Sequence, residues 1–98
     1  MNYVYSEFDK ERGSLRILLI LYTENIQSRM QLINTAKSIG ISQSAVYKIL
    51  QTLKKIDFIT ETTTKNGQKQ THLTTKGALI AMELEEIHKI LEYTTPPT

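Results

Sequence analysis

The feature that most constrains this chain is a short turn, Gly40-Ile41-Ser42, between two stretches of helical periodicity. A glycine just past the end of a helix can adopt the left-handed conformation that closes it. Ser42 can accept hydrogen bonds from the free amides of a following first turn, so it is a good N-cap. Helices over about 32–39 and 42–55, joined by this turn, match a helix-turn-helix in length and turn chemistry.

The helix predicted over residues 42–55 has two different faces. Val46, Ile49, Leu50 and Leu53 form an apolar stripe at helical spacing, which predicts a buried face. The remaining surface has no acid and carries Gln43, Ser44, Tyr47, Lys48, Gln51, Lys54 and Lys55. These side chains suit a helix that enters a DNA major groove, although many ordinary surface helices have the same inventory.

The formal net charge of +2 conceals an uneven distribution. Residues 25–56 contain five basic residues and no acid, whereas residues 77–98 carry a net charge of −3. The segments 1–24 and 57–76 are close to neutral, at −1 and +1. A chain with a basic middle and acidic ends can present one face to a polyanion and keep the other away from it.

Residues 59–74 predict a β-hairpin. Residues 60–64 are rich in β-branched residues, and a return strand is expected over about 69–74. Asn66-Gly67 is a strong hairpin signal, since both residues tolerate positive φ. The tip contains Lys65 and Lys69 and no acid. After a helix-turn-helix, such a hairpin over residues 60–74 is a wing.

The first and last helices are predicted to carry more apolar surface than the core of so small a domain needs to cover. The first runs from about Asp9 or Ser14 to Thr23, and its second face is either a dimer contact or covered by other helices.

The last helix spans 75–92 and is capped by Thr74 or Thr75. On this helix, the small residues Ala78 and Ala81 are expected to face the domain together with Met82. A stripe at heptad spacing is either a dimer interface or core packing, and consists of Ile80, Leu84, Ile87 and Leu91.

The aromatic N-terminus leaves several interpretations open. The alternation of Tyr3 and Tyr5 suits an extended segment, whereas Phe8 could pack against the start of the first helix. A loosely ordered terminus is a third interpretation.

Residues 35–50 and 53–59, with the closing Leu73-Thr74-Thr75-Lys76-Gly77, resemble the winged helix-turn-helix regulators, in particular the MarR-like group and its small archaeal relatives. The resemblance covers about residues 30–92. It implies an α+β fold with a three-helix core, a two-stranded wing and a long C-terminal helix. It also implies a homodimer on double-stranded DNA, with the third helix in the major groove and the wing over the backbone or minor groove.

The chain departs from the family pattern at Thr35, where leucine is usual, at Asp57, where glycine is common, and in a wing without the arginine that often enters the minor groove. MarR-like proteins are usually longer, which argues against a small-molecule effector here. The expected base contacts come from the first turns of the third helix. The predicted DNA-contacting residues are Gln43, Ser44, Tyr47, Lys48 and Gln51 on that helix, and Lys65, Lys69, Arg29 and Lys37 for phosphates. Lys54 and Lys55 are expected to be solvated.

Several functions are disfavoured by the sequence. His72 and His88 are far apart and lack metal-ligand spacing, so no metal or other cofactor is expected. No nucleophile-and-base arrangement and no glycine-rich phosphate loop points to an enzyme. No apolar run reaches the length of a membrane span.

We therefore expect one domain over residues 1–98, with residues 75–92 as the dimerisation helix. Its predicted function is sequence-specific transcriptional regulation, most simply repression, in the cytoplasm and associated with the nucleoid. The alternatives are a winged-helix protein-interaction module and a non-specific architectural chromatin protein.

Overall fold

The computed structural model of the 98-residue chain describes residues 13–25 and 28–94. The interpretations of Tyr3, Tyr5 and Phe8 lie outside these residues. In chain order the elements are α1 (Ser14–Thr23), α2 (Arg29–Ser38), α3 (Gln43–Lys55), β1 (Ile59–Thr63), β2 (Lys69–Leu73) and α4 (Thr75–Thr94). Three core helices, an antiparallel hairpin and a long last helix confirm the predicted winged helix-turn-helix fold.

The core lies between α1, α2 and α3 and is closed by the hairpin and by α4. The predicted apolar stripe of α3 is buried, as Val46, Ile49, Leu50 and Leu53 show. On α1, Ile17, Leu18 and Leu21 are buried, while Leu15 on its second face is exposed. The core therefore covers only part of the apolar surface of α1.

The first helix of the helix-turn-helix begins earlier than predicted. Ser28 is the N-cap of α2, and its hydroxyl accepts a hydrogen bond from the Gln31 amide at 3.3 Å. The prediction of a start near Leu32 was wrong because the first turn is polar and carries no apolar periodicity. Arg29 is consequently on a helix rather than in a loop.

The predicted turn between α2 and α3 is confirmed. Gly40 has φ 85°, the amide of Ile41 donates to the Ala36 carbonyl at 2.9 Å, and the Gly40 amide donates to Lys37 at 3.1 Å. This pair of bonds is the Schellman arrangement for ending a helix. Ser42 then caps α3 by accepting from the Ala45 amide at 3.2 Å.

The end of α3 repeats this arrangement with a different residue. The Phe58 amide donates to Leu53 at 2.9 Å and the Asp57 amide donates to Lys54 at 3.1 Å. Asp57 has φ 65°, the left-handed conformation that occurred at Gly40. Aspartate is among the few non-glycine residues that enter this region. The position explains why Asp57 can stand where glycine is common.

The wing is an antiparallel pair in which Ile59 lies opposite Leu73 and Glu61 opposite Thr71. The Thr64 amide donates to the Gln68 carbonyl at 2.8 Å, which leaves residues 65–67 as a three-residue loop. Only Gly67 in this loop has positive φ, at 81°. The hairpin is confirmed, but its turn does not place both Asn66 and Gly67 in the left-handed region. It fits the common three-residue loop with one left-handed glycine.

The start of α4 is attached to the end of α3. The Thr74 hydroxyl donates to the Asp57 carbonyl at 2.6 Å and accepts from the Gly77 amide at 2.9 Å, so Thr74 is the cap. The Thr74 amide also donates to the Phe58 carbonyl at 3.0 Å. A Cβ on Gly77 would lie 1.9 Å from the Phe58 carbonyl oxygen. Only glycine allows this close approach.

The predicted heptad stripe of α4 is divided between two environments. Ile80 and Leu84 pack against the core, whereas Ile87 and Leu91 are 52% and 60% exposed. Ala81 is buried as expected, but Met82 is exposed, so its predicted place toward the domain was wrong. A helix of 20 residues is about 30 Å long, and only its first half lies on this small domain.

Candidate nucleic-acid interface

One face of α3 is open to solvent and carries all five residues predicted to read bases. The N-cap and the buried stripe fix the rotation of this helix, so its first turns point their polar side chains outward. The exposed residues of this face, termed the α3 polar face, are Gln43, Ser44, Tyr47, Lys48 and Gln51. All are donors or acceptors of the kinds that read base edges.

Tyr47 has one contact at its hydroxyl and another at a face of its ring. The Gln43 side-chain amide donates to the Tyr47 hydroxyl at 3.0 Å, one helical turn away. The Arg29 guanidinium carbon lies 5.4 Å from the centre of the Tyr47 ring, in a cation–π contact. The phenol therefore has a defined orientation before any partner binds.

A cleft of about 400 Å³ lies beside the α3 polar face, between the start of α2 and strand β2. An isolated bridge between Ser28 and Gln70 joins the wing to the start of α2 at this place. The lining residues of this wing-side cleft are Ser28, Arg29, Met30, Ile33, Tyr47, Gln68 and Lys69. The fold thus brings together three predicted site residues from three elements, Arg29, Tyr47 and Lys69.

Arg29 is engaged with an acid that the sequence pattern did not place there. Its Nε donates to Glu61 Oε2 at 3.1 Å, and its Nη2 contacts the same oxygen. Lys54 Nζ lies 2.8 Å from the other oxygen, Glu61 Oε1. The segment 25–56 has no acid in sequence, but Glu61 supplies one in space. Lys54 is exposed, as expected, and its ammonium group is in addition ion-paired with Glu61.

Glu61 remains a carboxylate in this environment. Burial of its side chain, which is only 9% exposed, raises its pKa. The hydrogen bonds and positive charges of Lys54 and Arg29 outweigh this effect, so the pKa of Glu61 lies below its usual value. The group is therefore an ion-paired cluster at neutral pH, termed the Glu61 cluster: Arg29, Lys54 and Glu61.

The other predicted phosphate contacts are exposed. Lys69 Nζ donates to the Thr63 hydroxyl at 3.1 Å, which holds it at the base of the wing loop. Lys65 is exposed in the loop itself, and Lys37 is exposed in the last turn of α2. Neither Lys37 nor Lys65 lines the wing-side cleft.

A second cleft, of about 460 Å³, lies beside the helix-turn-helix turn and contains a cation that sequence reasoning missed. Arg16 of α1 lines it with Ile39, Gly40, Ile41, Ser42 and Ala45. Ala45 and Tyr47 lie on opposite flanks of α3 by helical spacing, so the two clefts lie on the two sides of the α3 polar face. Arg16 was overlooked because its own segment, residues 1–24, has a net negative charge.

Within residues 13–25 and 28–94, no group of three or more His, Cys, Asp or Glu side chains could hold a metal ion. No helix in the same ranges is long and apolar enough to cross a membrane.

Comparison with known proteins finds similarity in structure. No protein-family model matches the chain, and no curated protein matches it. The crystal structure of SSV1 F-93 superimposes with a TM-score of 0.70 and 21% identity, over 85% of this chain and 92% of that one. FabT of Streptococcus pneumoniae, solved in complex with DNA, superimposes with a TM-score of 0.68 and 18% identity. The match covers 84% of this chain and 57% of FabT. The adhesin competence repressor AdcR of Streptococcus pyogenes superimposes with a TM-score of 0.68 and 26% identity. The match covers 86% of this chain and 61% of AdcR.

The chain has the winged helix-turn-helix fold of MarR-like regulators. The resemblance seen in residues 30–92 is thereby confirmed for the fold. F-93 is matched over nearly its whole length, whereas this chain spans about three-fifths of FabT and AdcR.

Proposed function

We propose that this protein is a sequence-specific, double-stranded DNA-binding transcription regulator, most simply a repressor, and not an enzyme. The observation that carries the proposal is the α3 polar face, exposed and acid-free, with a cleft on each side, one lined by Lys69 and the other by Arg16. The same fold is seen in FabT bound to DNA and in a protein named as a repressor, AdcR. In such a protein we expect a location in the cytoplasm, on the nucleoid.

In the proposed complex, α3 enters the major groove and its first two turns contact base edges. Gln43, Ser44, Tyr47 and Lys48 are the proposed base contacts, and Gln51 reaches a base or a phosphate. The two clefts fit the two phosphate backbones that border a major groove. Lys65 and Lys69 are proposed contacts on the wing side, and Arg16 on the other side. Lys37 extends the basic surface at the end of α2.

We further propose that residues 1–98 act as one domain and that two copies associate through residues 75–92. Support comes from the second half of α4, where three large apolar side chains are exposed: Ile87, Ile90 and Leu91. Ile80 and Leu84, which pack on the core, would lie at the edge of such an interface. Two α3 helices in successive major grooves are about 34 Å apart, so an inverted repeat is the expected DNA site.

Selection of bound duplexes from a random pool, repeated at two salt concentrations, tests the proposal. A regulator should enrich an inverted repeat and bind it more tightly than the unselected pool at both salt concentrations. Salt-dependent binding without enrichment would indicate an architectural protein instead. Absence of salt-dependent binding would favour a protein-interaction module, because phosphate contacts always release counterions.

A further inference from the structure

The Glu61 cluster lies where three elements meet. Glu61 is on β1, Arg29 is the first residue of α2, and Lys54 is in the last turn of α3. Both carboxylate oxygens are used, Oε2 by Arg29 and Oε1 by Lys54. One buried acid therefore links the wing to both helices of the helix-turn-helix.

The cluster changes which cations are available to a polyanion. Arg29 directs its Nε and Nη2 to the carboxylate and places its guanidinium plane near the Tyr47 ring. Two of its five N–H donors are thus occupied, and Arg29 shares the single negative charge of Glu61 with Lys54. Lys48, Lys65 and Lys69 differ, because no carboxylate among the described residues pairs with them.

This difference bears on specificity. Phosphate contacts provide essentially all of the affinity for non-specific DNA, whereas base contacts discriminate among sequences. A cation withdrawn from the phosphates lowers affinity for every sequence. A wing fixed against α3 keeps the base-reading side chains in register with the backbone contacts.

We propose that Glu61 is a specificity-determining residue, which keeps Arg29 and Lys54 from the DNA phosphates and fixes the wing relative to α3. The proposal rests on the proposed DNA-binding function. It also changes the role predicted for Arg29 from a phosphate contact to a residue that positions Tyr47 and the wing.

Glu61→Gln tests the proposal, because it keeps the shape of the side chain and removes its charge. Binding would be measured on a selected duplex and on a random duplex across a series of salt concentrations. Each cation released to a phosphate should steepen the salt dependence by about 0.9 and tighten binding to random DNA about five- to tenfold near 0.1 M salt. The ratio of specific to non-specific affinity should fall.

Asp57→Asn is the matched control. It makes the same change in net charge at an exposed position, and asparagine also tolerates the left-handed conformation of Asp57. If Glu61→Gln and Asp57→Asn change the salt dependence equally, the effect is one of net charge and the proposal is overturned.

Arg29→Gln alone gives a second measurement that does not require the Glu61 variant to fold, and its combination with Glu61→Gln gives a third. For Arg29→Gln alone, we expect the slope of log affinity against log salt to equal that of the wild type. In the double variant, we expect Arg29→Gln to remove part of the steepening that Glu61→Gln causes. A slope flattened by about 0.9 in Arg29→Gln alone would show that Arg29 already contacts a phosphate, which overturns the proposal. A wild type without salt-dependent binding would instead refute the proposed function itself.

Discussion

Helices α3 and α4 both bury an apolar stripe, but the surfaces that they leave exposed are chemically opposite. α3 leaves a polar face without acids, and a cleft on each of its flanks contains a basic residue, Lys69 on one side and Arg16 on the other. The second half of α4 leaves Ile87, Ile90 and Leu91 exposed beside the acids Glu86 and Glu92. A protein partner that covers the apolar side chains of α4 gains stability from their burial, whereas the acids of α4 repel phosphate. The two exposed surfaces therefore agree with the proposed roles, DNA contact for α3 and association with a second copy for α4.

The two helices are not independent, because α4 begins on the backbone that ends α3. Thr74 bonds to Asp57 and Phe58, and Lys76 Nζ donates to the Ile56 carbonyl at 3.2 Å. An orientation that α4 takes in the proposed dimer would therefore constrain the orientation of α3 through this junction. The following changes act on one helix, on the junction, or on the charges around them, in order of decreasing expected effect.

Gly77→Ala should separate the two helices at their junction. The added methyl group cannot fit beside the Phe58 carbonyl, so we expect a loss of about 3 kcal/mol in the free energy of unfolding. Urea denaturation followed by circular dichroism measures it. Gly67→Ala is the control, since it meets no atom within 4 Å but has positive φ, and should cost about 1 kcal/mol. Equal losses would contradict the close approach at Gly77.

Ile87→Glu should affect α4 alone. A carboxylate at the proposed interface should weaken dimerisation at least about 100-fold, equivalent to about 2.7 kcal/mol, and leave the fold intact because this side chain is half exposed. Sedimentation equilibrium reports the association state. Met30→Glu is the control, because it makes the same kind of change at an exposed apolar residue of α2, outside the proposed interface. An unchanged dimer in Ile87→Glu would place the interface elsewhere.

Gln43→Ala and Tyr47→Ala should affect α3 alone. Each should reduce the preference for the selected site over random DNA by about 1–2 kcal/mol, with less change on random DNA. Competition binding with both duplexes measures the ratio. Thr52→Ala is a control on the same helix, outside the α3 polar face. Equal losses on both duplexes would exclude base reading by Gln43 and Tyr47.

Lys69→Ala should weaken binding to all sequences alike. Loss of one phosphate contact flattens the plot of log affinity against log salt by about 0.9. Fluorescence anisotropy across a salt series gives the slope. Lys89→Ala is the control, since Lys89 pairs with Glu85 and Glu86 on α4 and should leave the slope unchanged. A slope unaltered by Lys69→Ala would remove Lys69 from the phosphate contacts.

Acid should weaken the Glu61 cluster. Because the pKa of Glu61 is lower in the folded protein than in the unfolded chain, its stabilisation is complete above the unfolded pKa, about 4.3. It is lost as the pH falls through the folded pKa. Urea midpoints at pH 7 and pH 3 should therefore differ slightly more in the wild type than in Glu61→Gln. A larger difference between the two midpoints in Glu61→Gln than in the wild type would contradict a stabilising ion pair.

What could be predicted from the sequence was local. A helix cap, a left-handed turn and a hairpin loop each depend on residues within about five positions, so Ser42, Gly40 and Gly67 marked their elements correctly. The buried stripe of α3 and the exposure of its polar face follow from helical periodicity alone. The resemblance to a known family then combined these local signals into the correct fold.

Contacts between distant elements were decided only by tertiary packing. Glu61 meets Arg29 across 32 positions, and Arg16 reaches the turn at Gly40 although its own segment is acidic. The sequence predicts a continuous stripe on α4, yet the domain is so small that Ile80 is only partly buried against it and Leu91 is exposed. Periodicity gives the face of a helix but not the extent of the surface that covers it. Charge summed along a chain likewise does not show which charges lie together in space.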